Sequence, residues 1–196
     1  MGERYDGKTR RDDIKKYILI AVIVAVAVGA WLLIYNLFGT KNKAADLNVT
    51  FVSYGVPSDS AQEQLESFLK ETVGDANGDG RTIVRIYYVD FSMGNGDDQM
   101  LVQLSESDRA LFLLSNQTSA YGSGASERFS EYFTVVDGLD EVMTQVNQTQ
   151  LFADLGLENF EFYAAVLDRG AGYEEQTALA VDTIKAILAT GTAETE

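Results

Sequence analysis

Twenty-two consecutive residues, Tyr17 to Phe38 (YILIAVIVAVAVGAWLLIYNLF), carry no formal charge. As an α-helix rising about 1.5 Å per residue, such a run is about 33 Å long, enough to cross the hydrocarbon of a bilayer. A cleaved signal peptide has a shorter apolar core, about 7–15 residues, followed by a small-x-small cleavage site. Here the run ends in Phe38-Gly39-Thr40-Lys41-Asn42-Lys43, which holds no such site. The stretch therefore reads as a permanent anchor. Arg10, Arg11, Lys15 and Lys16 precede it against Lys41 and Lys43 after it, a bias that puts the N-terminus in the cytoplasm and the rest of the chain outside the cell membrane. Tyr17 and Tyr35 suit the membrane interfaces.

This anchor divides the chain into expected parts: a basic cytoplasmic tail (1–16), the transmembrane helix (17–38), a polar tether (39–46), an extracytoplasmic domain (47–188) and a flexible acidic tail (189–196). A domain of that length buries a real core without further support. Beyond the span lie nine Lys and Arg against twenty-six Asp and Glu, a net of −17. Such a surface repels phosphate backbones, so nucleic acid is not an expected partner. With neither Cys nor His in the chain, disulfides, thiolate or imidazole metal sites and triads built on either residue are excluded. The sequons at Asn48, Asn116 and Asn147 are read as incidental.

Within the domain, residues 47–54 (LNVTFVSY), 82–91 (TIVRIYYVDF), 110–115 (ALFLLS) and 160–167 (FEFYAAVL) are rich in β-branched and aromatic residues and predict four strands. Helices are predicted between them. The first opens on the capping box Ser60-Ala-Gln-Glu63, carries Leu65, Phe68, Leu69 and Val73, and stops at Gly74. A second covers 97–105, a third carries Phe129, Tyr132 and Phe133, and the last covers 174–188. Residues 134–158 show no clear period. Strands alternating with helices imply βαβ units, hence an α/β fold with a mostly parallel four-stranded sheet in a three-layer sandwich.

The span, the tether, the strand LNVTFVSY, the following helix, the stretch DANGDGRTIVRIYYVDF and the later ALFLLSN together resemble a group of uncharacterised membrane-anchored proteins of Gram-positive bacteria. The outer domain of that group is similar to one lobe of an extracellular solute-binding protein. The resemblance implies an extracytoplasmic α/β module of the bacterial cell envelope with no known activity. The chain is too short for two lobes, so enclosure of a solute between lobes is not implied.

Three groups of residues are candidate sites. Asp75, Asn77, Asp79 and Gly80 match the first half of a calcium loop, in which oxygens at alternate positions converge on one ion. The twelfth position, where a bidentate Glu belongs, is Ile86, and the same residue types also build a tight helix-to-strand turn. Asp90-Phe-Ser92-Met-Gly94 is similar to the D-x-S-x-S metal-adhesion loop, with Gly94 in place of the second Ser. Finally, ligands of parallel sheets bind beyond the carboxyl ends of the strands. That places Ser53, Asp90, Ser92, Ser115, Asn116, Asp168 and Arg169 at one predicted edge, with Arg169 offering a planar fork of donors. Asp, Ser and Asn also end strands and cap helices.

No phosphate-binding glycine motif and no marked carboxylate pair is present, so the expected role is docking or scaffolding without catalysis, on an envelope protein partner. The alternative is a small-molecule or calcium sensor at the same edge, with no other cofactor. A polar crevice at the strand ends would favour the sensor, and a filled edge the docking module.

Overall fold

The computed structural model describes residues 17, 20–30, 44–117 and 124–192. The chain divides into two compact units, Met1–Ala44 and Ala45–Glu196. In the first, residues 17 and 20–30 are helical, and Ile20, Val22, Ile23, Val24, Val26 and Val28 are all exposed. Among the described residues no helix is long and apolar enough to cross a membrane. The expected span over 17–38 lies partly outside them, and the basic tail over 1–16 lies wholly outside.

The second unit is an α/β domain. Strands β1 (Leu47–Ser53), β2 (Val84–Asp90), β3 (Leu111–Ser115), β4 (Met143–Gln145) and β5 (Phe162–Val166) form one sheet in the order β2-β1-β3-β5-β4. β1 pairs in parallel with both β2 and β3, whereas β5 runs antiparallel to β3 and to β4. Two expectations are thereby corrected. The sheet has five strands instead of four, and the two segments read as third and fourth strands pair antiparallel, with Leu111 opposite Val166 and Ser115 opposite Phe162.

Helix lengths account for this. α1 (Asp59–Val73) has 15 residues and α2 (Gly96–Ser105) has 10, about 22 and 15 Å of helix. Each can carry the chain back along the sheet and let the next strand start in parallel. After β4 comes only the five-residue α4 (Gln150–Asp154), about 7 Å long. The chain stays at the same end of the sheet and enters β5 in the reverse direction.

The period-2 alternation of the strands splits the core into two layers. Leu47, Val49 and Phe51 of β1, Leu111 and Leu113 of β3, and Phe162, Ala164 and Val166 of β5 face α1, α4 and α5 (Glu174–Ala189). Leu65 and Leu69 of α1, Phe152 of α4 and Ile184 and Ile187 of α5 close that layer. Phe162 packs its ring 5.2 Å from those of both Phe51 and Phe152. On the opposite face Val52, Val89, Phe112, Leu114 and Ala165 meet Met100 and Leu104 of α2, Ala125 of α3 (Ala125–Arg128), and Phe129 and Phe133 around the 3-10 turn Ser130–Tyr132. This is a three-layer sandwich. Every buried member of both clusters lies between Leu47 and Ile187, so the segment from residue 44 onward carries a complete core of its own.

The domain boundaries also differ from the sequence reading. Asp46, expected in the tether, is buried and belongs to the domain. Its carboxylate accepts hydrogen bonds from Asn77 N at 2.9 Å and Ile83 N at 2.7 Å. The expected acidic tail is tied down as far as Thr192: Gln150 N donates to Gly191 O, Leu151 N to Thr190 Oγ1, and Thr149 bridges Thr192. Residues 193–196 lie outside the described residues. The first helix begins two residues earlier than predicted, because Ser58 and not Ser60 is its N-cap, accepting from Ala61 N at 3.3 Å. Gly74 ends it at φ +62°, a conformation glycine adopts without strain.

Candidate functional site

Because β1, β2 and β3 run in parallel, their carboxyl ends bring Ser53, Asp90, Ser92, Ser115 and Asn116 to one edge of the sheet. Asp168 and Arg169 are not there. β5 is reversed, and its carboxyl end lies beside the start of β3, where Leu167 N donates to Ala110 O at 2.9 Å. Asp168 accepts from Gly170 N. Arg169 Nη2 donates to the carbonyls of Leu104 (2.8 Å) and Glu106, capping the C-terminal end of α2. That is a favourable place for a cation, since the last carbonyls of a helix lack intrahelical donors. The predicted group of seven is therefore five at one edge and two at the other.

At the carboxyl edge the polar side chains are spent on holding turns. Ser53 Oγ donates to Gly55 O at 2.6 Å. Asp90 Oδ1 accepts from Gly55 N and Ser92 N, each at 2.8 Å, locking the loop after β1 onto the end of β2. Partial burial pushes the Asp90 carboxyl up, but the hydrogen bonds from the Ser92 hydroxyl, Ser92 N–H and Gly55 N–H outweigh it and hold the group below its ordinary value. The Asp90-to-Gly94 stretch is thus a strand-terminating turn. Ser115 Oγ accepts from Gln117 N at 3.1 Å. Asn116 donates to Glu161 Oε2 at 3.0 Å and accepts from Ser126 Oγ at 2.9 Å, tying β3 to both the approach to β5 and the start of α3.

Beside exposed Ser92 and Gln117, the edge presents large apolar side chains to solvent. Tyr54 (42% exposed), Val56 (54%), Met93 (59%) and Phe160 (38%) stand out from it. Tyr54, Val56 and Phe160 line a cleft of about 210 Å³. Tyr54 also lines a second, of about 370 Å³, with Phe91, Ser92, Met93, Gly94, Gly96, Asp97 and Arg128. In the second, Arg128 pairs with Asp97 and lies 5.6 Å from the centroid of the Phe91 ring and 5.9 Å from that of Phe129, within the range of a cation–π contact. A third hollow of about 260 Å³ is lined by Asn116, Ser126, Glu127, Met143 and Tyr163. Sequence reasoning named the polar turn residues and missed the apolar ones beside them. The signal was present in Tyr54-Gly55-Val56-Pro57, where two large apolar residues flank a turn glycine.

The Asp75-to-Gly80 turn uses its oxygens internally. Asp75 accepts from Asp79 N (3.0 Å) and Gly80 N (2.7 Å), Asn77 Oδ1 from Asp79 N (3.0 Å) and Asp79 Oδ1 from Arg81 N (3.1 Å). Among the described residues no three Asp or Glu side chains are grouped to hold a metal ion. The sequon asparagines are structural: Asn48 and Asn147 are buried, the first donating to Asp108 Oδ2 and the second to Glu158 O.

Compared with known proteins, the chain matches no family model, no curated protein and no solved structure.

Proposed function

We propose that this chain is a single-pass membrane-anchored module of the bacterial cell envelope, N-terminus in the cytoplasm, whose extracytoplasmic α/β domain docks a protein partner and performs no catalysis. Support for the anchor comes from the uncharged run Tyr17 to Phe38 and from the exposure of its apolar side chains over residues 20–30. A helix with apolar residues on every side calls for an apolar surrounding. The solute-binding-like resemblance adds the extracytoplasmic setting, with a single lobe that does not enclose a solute.

The docking reading is carried by one observation. At the strand ends the polar groups are satisfied by one another, and Tyr54, Val56, Met93 and Phe160 are left exposed. Aromatic and Met side chains are the residues enriched in protein interfaces. A small-molecule site would instead aim several free polar groups into a cavity.

A photo-crosslinking residue placed at Val56 or at Met93 of the full chain, in cells, tests this. A protein adduct that forms from both positions and not from the exposed Asp182 of α5 is expected. Equal labelling from all three, or calorimetric binding of calcium or a small solute by residues 44–196, would replace docking with the sensor. A C-terminal tag that external protease cannot reach would reverse the orientation.

A further inference from the structure

β2 stands at one margin of the sheet, with β1 on one side and no strand on the other. In a parallel pair, alternate residues of a strand turn their backbone groups toward the neighbour. For β2 the two ends of the ladder fix which residues these are, since Leu47 N donates to Ile83 O and Phe91 N to Ser53 O. Ile83, Arg85, Tyr87 and Val89 therefore bond to β1, and the N–H and C=O groups of Val84, Ile86 and Tyr88 point away from the sheet. Among the described residues no hydrogen bond takes up these outward groups. Sheets blunt such a margin with a proline, a bulge, charges or a very short strand. The opposite margin is blunted, because β4 has three residues. β2 has seven, in unbroken register with β1 and without Pro, Gly or bulge. Between Thr82 and Val89 its one charge is Arg85, in a part of the chain where acids outnumber bases twenty-six to nine.

We propose that β2 pairs antiparallel with β2 of a second copy of this chain, about a two-fold axis at Ile86, joining the two sheets edge to edge. Open N–H and C=O groups at every second residue are what an added strand takes up. The side chains then select the copy and the register. With Ile86 opposite Ile86, Val84 lies opposite Tyr88, and each facing pair exchanges two N–H···O bonds, so every outward group is used. Arg85 falls opposite Tyr87, a cation beside an aromatic ring. An axis at Arg85 would set two like charges against each other, which destabilises a cross-strand pair. An axis at Tyr87 would bring Val84 opposite Asp90, whose carbonyl already accepts from Met93 N at 3.3 Å. The strand is thus complementary to itself in one register, as an isologous contact requires. No carboxylate between Thr82 and Val89 has to meet another, and Glu66, whose charge reaches Tyr88, is held by Lys70. Two acidic copies can therefore approach along this margin.

Residues 44–196, which hold the whole core, serve for the test. Sedimentation velocity should show a monomer–dimer equilibrium. The amides of Val84, Ile86 and Tyr88 should exchange with solvent at least tenfold more slowly in the dimer than in the dilute monomer, a measurement that needs no variant. Engineered thiols report the register, because the chain has no Cys of its own and the side chains of a non-hydrogen-bonded pair lie closest. A mixture of Arg85→Cys and Tyr87→Cys should oxidise to a mixed disulfide dimer at least fivefold faster than either variant alone. Ile86→Pro removes an outward N–H and leaves the bonds to β1 in place; it should weaken dimerisation at least tenfold. A monomer at every concentration would overturn the proposal and leave the margin to a strand of another protein. So would a dimer in which the three amides exchange as in the monomer, no preference for the mixed thiol pair, or a folded Ile86→Pro variant that dimerises like the parent. None of these results bears on the docking surface at the strand ends.

Discussion

Replacing Asp46 by Ala tests the most specific statement made about how this domain is closed. Asp46 is 8% exposed and its carboxylate takes the backbone N–H groups of Asn77 and Ile83, at 2.9 and 2.7 Å. Its own N–H donates to Ile83 O at 2.8 Å. The residue thus fastens the entry of β1 to the polar turn that leads into β2. Alanine removes both oxygens and leaves two N–H groups without an acceptor. Hydrogen bonds to a charged group contribute about 1.5–3 kcal/mol each, so the loss is about 3 kcal/mol at the low end. For a domain of this size about 2–4 °C of melting temperature goes with each kcal/mol, which predicts a fall of about 6–12 °C. Asp46→Asn keeps one oxygen and should fall about half as far. Circular dichroism melts of residues 44–196 measure this, and amide hydrogen exchange at Asn77 and Ile83 should accelerate selectively. Should Asp46→Ala melt within about 1 °C of the parent, the turn is held by something else. Full rescue of that variant by millimolar calcium would name the calcium loop as the holder.

Other consequences follow from individual contacts. A Cβ at Gly124 would lie 2.4 to 2.5 Å from the backbone of Asn116, whereas one at Gly94 meets nothing within 4 Å; Gly124→Ala should cost about 1–3 kcal/mol in a denaturant melt, and Gly94→Ala close to nothing. Asp90 has its folded pKa depressed. Its contribution is therefore present above the ordinary carboxylate value of about 4 and lost as pH falls through the lower folded value. Asp90→Asn should flatten that part of the acid limb of a plot of melting temperature against pH, and an unchanged limb would refute the assignment. Burial, and then the charge of Glu66, push the Tyr88 hydroxyl up to about 12. The folded state thus keeps its proton longer than the unfolded one, and the associated stability is complete below about pH 10 and lost as pH rises from there toward the folded value. Ultraviolet titration should show one tyrosine ionising late, and Tyr88→Phe should remove it.

The four strands legible in the sequence are dense in β-branched and aromatic residues, whether buried along their whole length as β1 and β3 are or only in part as β2 and β5 are. β3 reads as the continuous apolar run Leu111-Phe-Leu-Leu114. α1 was legible because its apolar stripe and its stop at Gly74 come from local chemistry. β4 was not: it has three residues, Met143-Thr-Gln145, none fully buried, and sits at the sheet margin where little apolar surface is needed. α4 has five residues and cannot show a helical period either.

Direction was harder still, because the alternation of Phe162 and Ala164 inward with Tyr163 outward is the same whichever way a strand runs. Only the connection carries that information, and the five-residue helix of the β4-to-β5 connection is too short to carry the chain back along the sheet. The candidate site inherited this error at one point. Asp168 and Arg169 follow a strand just as Ser53 and Asp90 close theirs, and all four are polar residues at strand ends. A reversed strand sends its carboxyl end to the opposite side of the sheet, where Arg169 closes a helix at Leu104 and Glu106. Residues of α1 and of α4, Glu63 and Asp154 among them, line one hollow. That juxtaposition depends on the one region with no readable period, so no spacing along the chain could have marked it in advance.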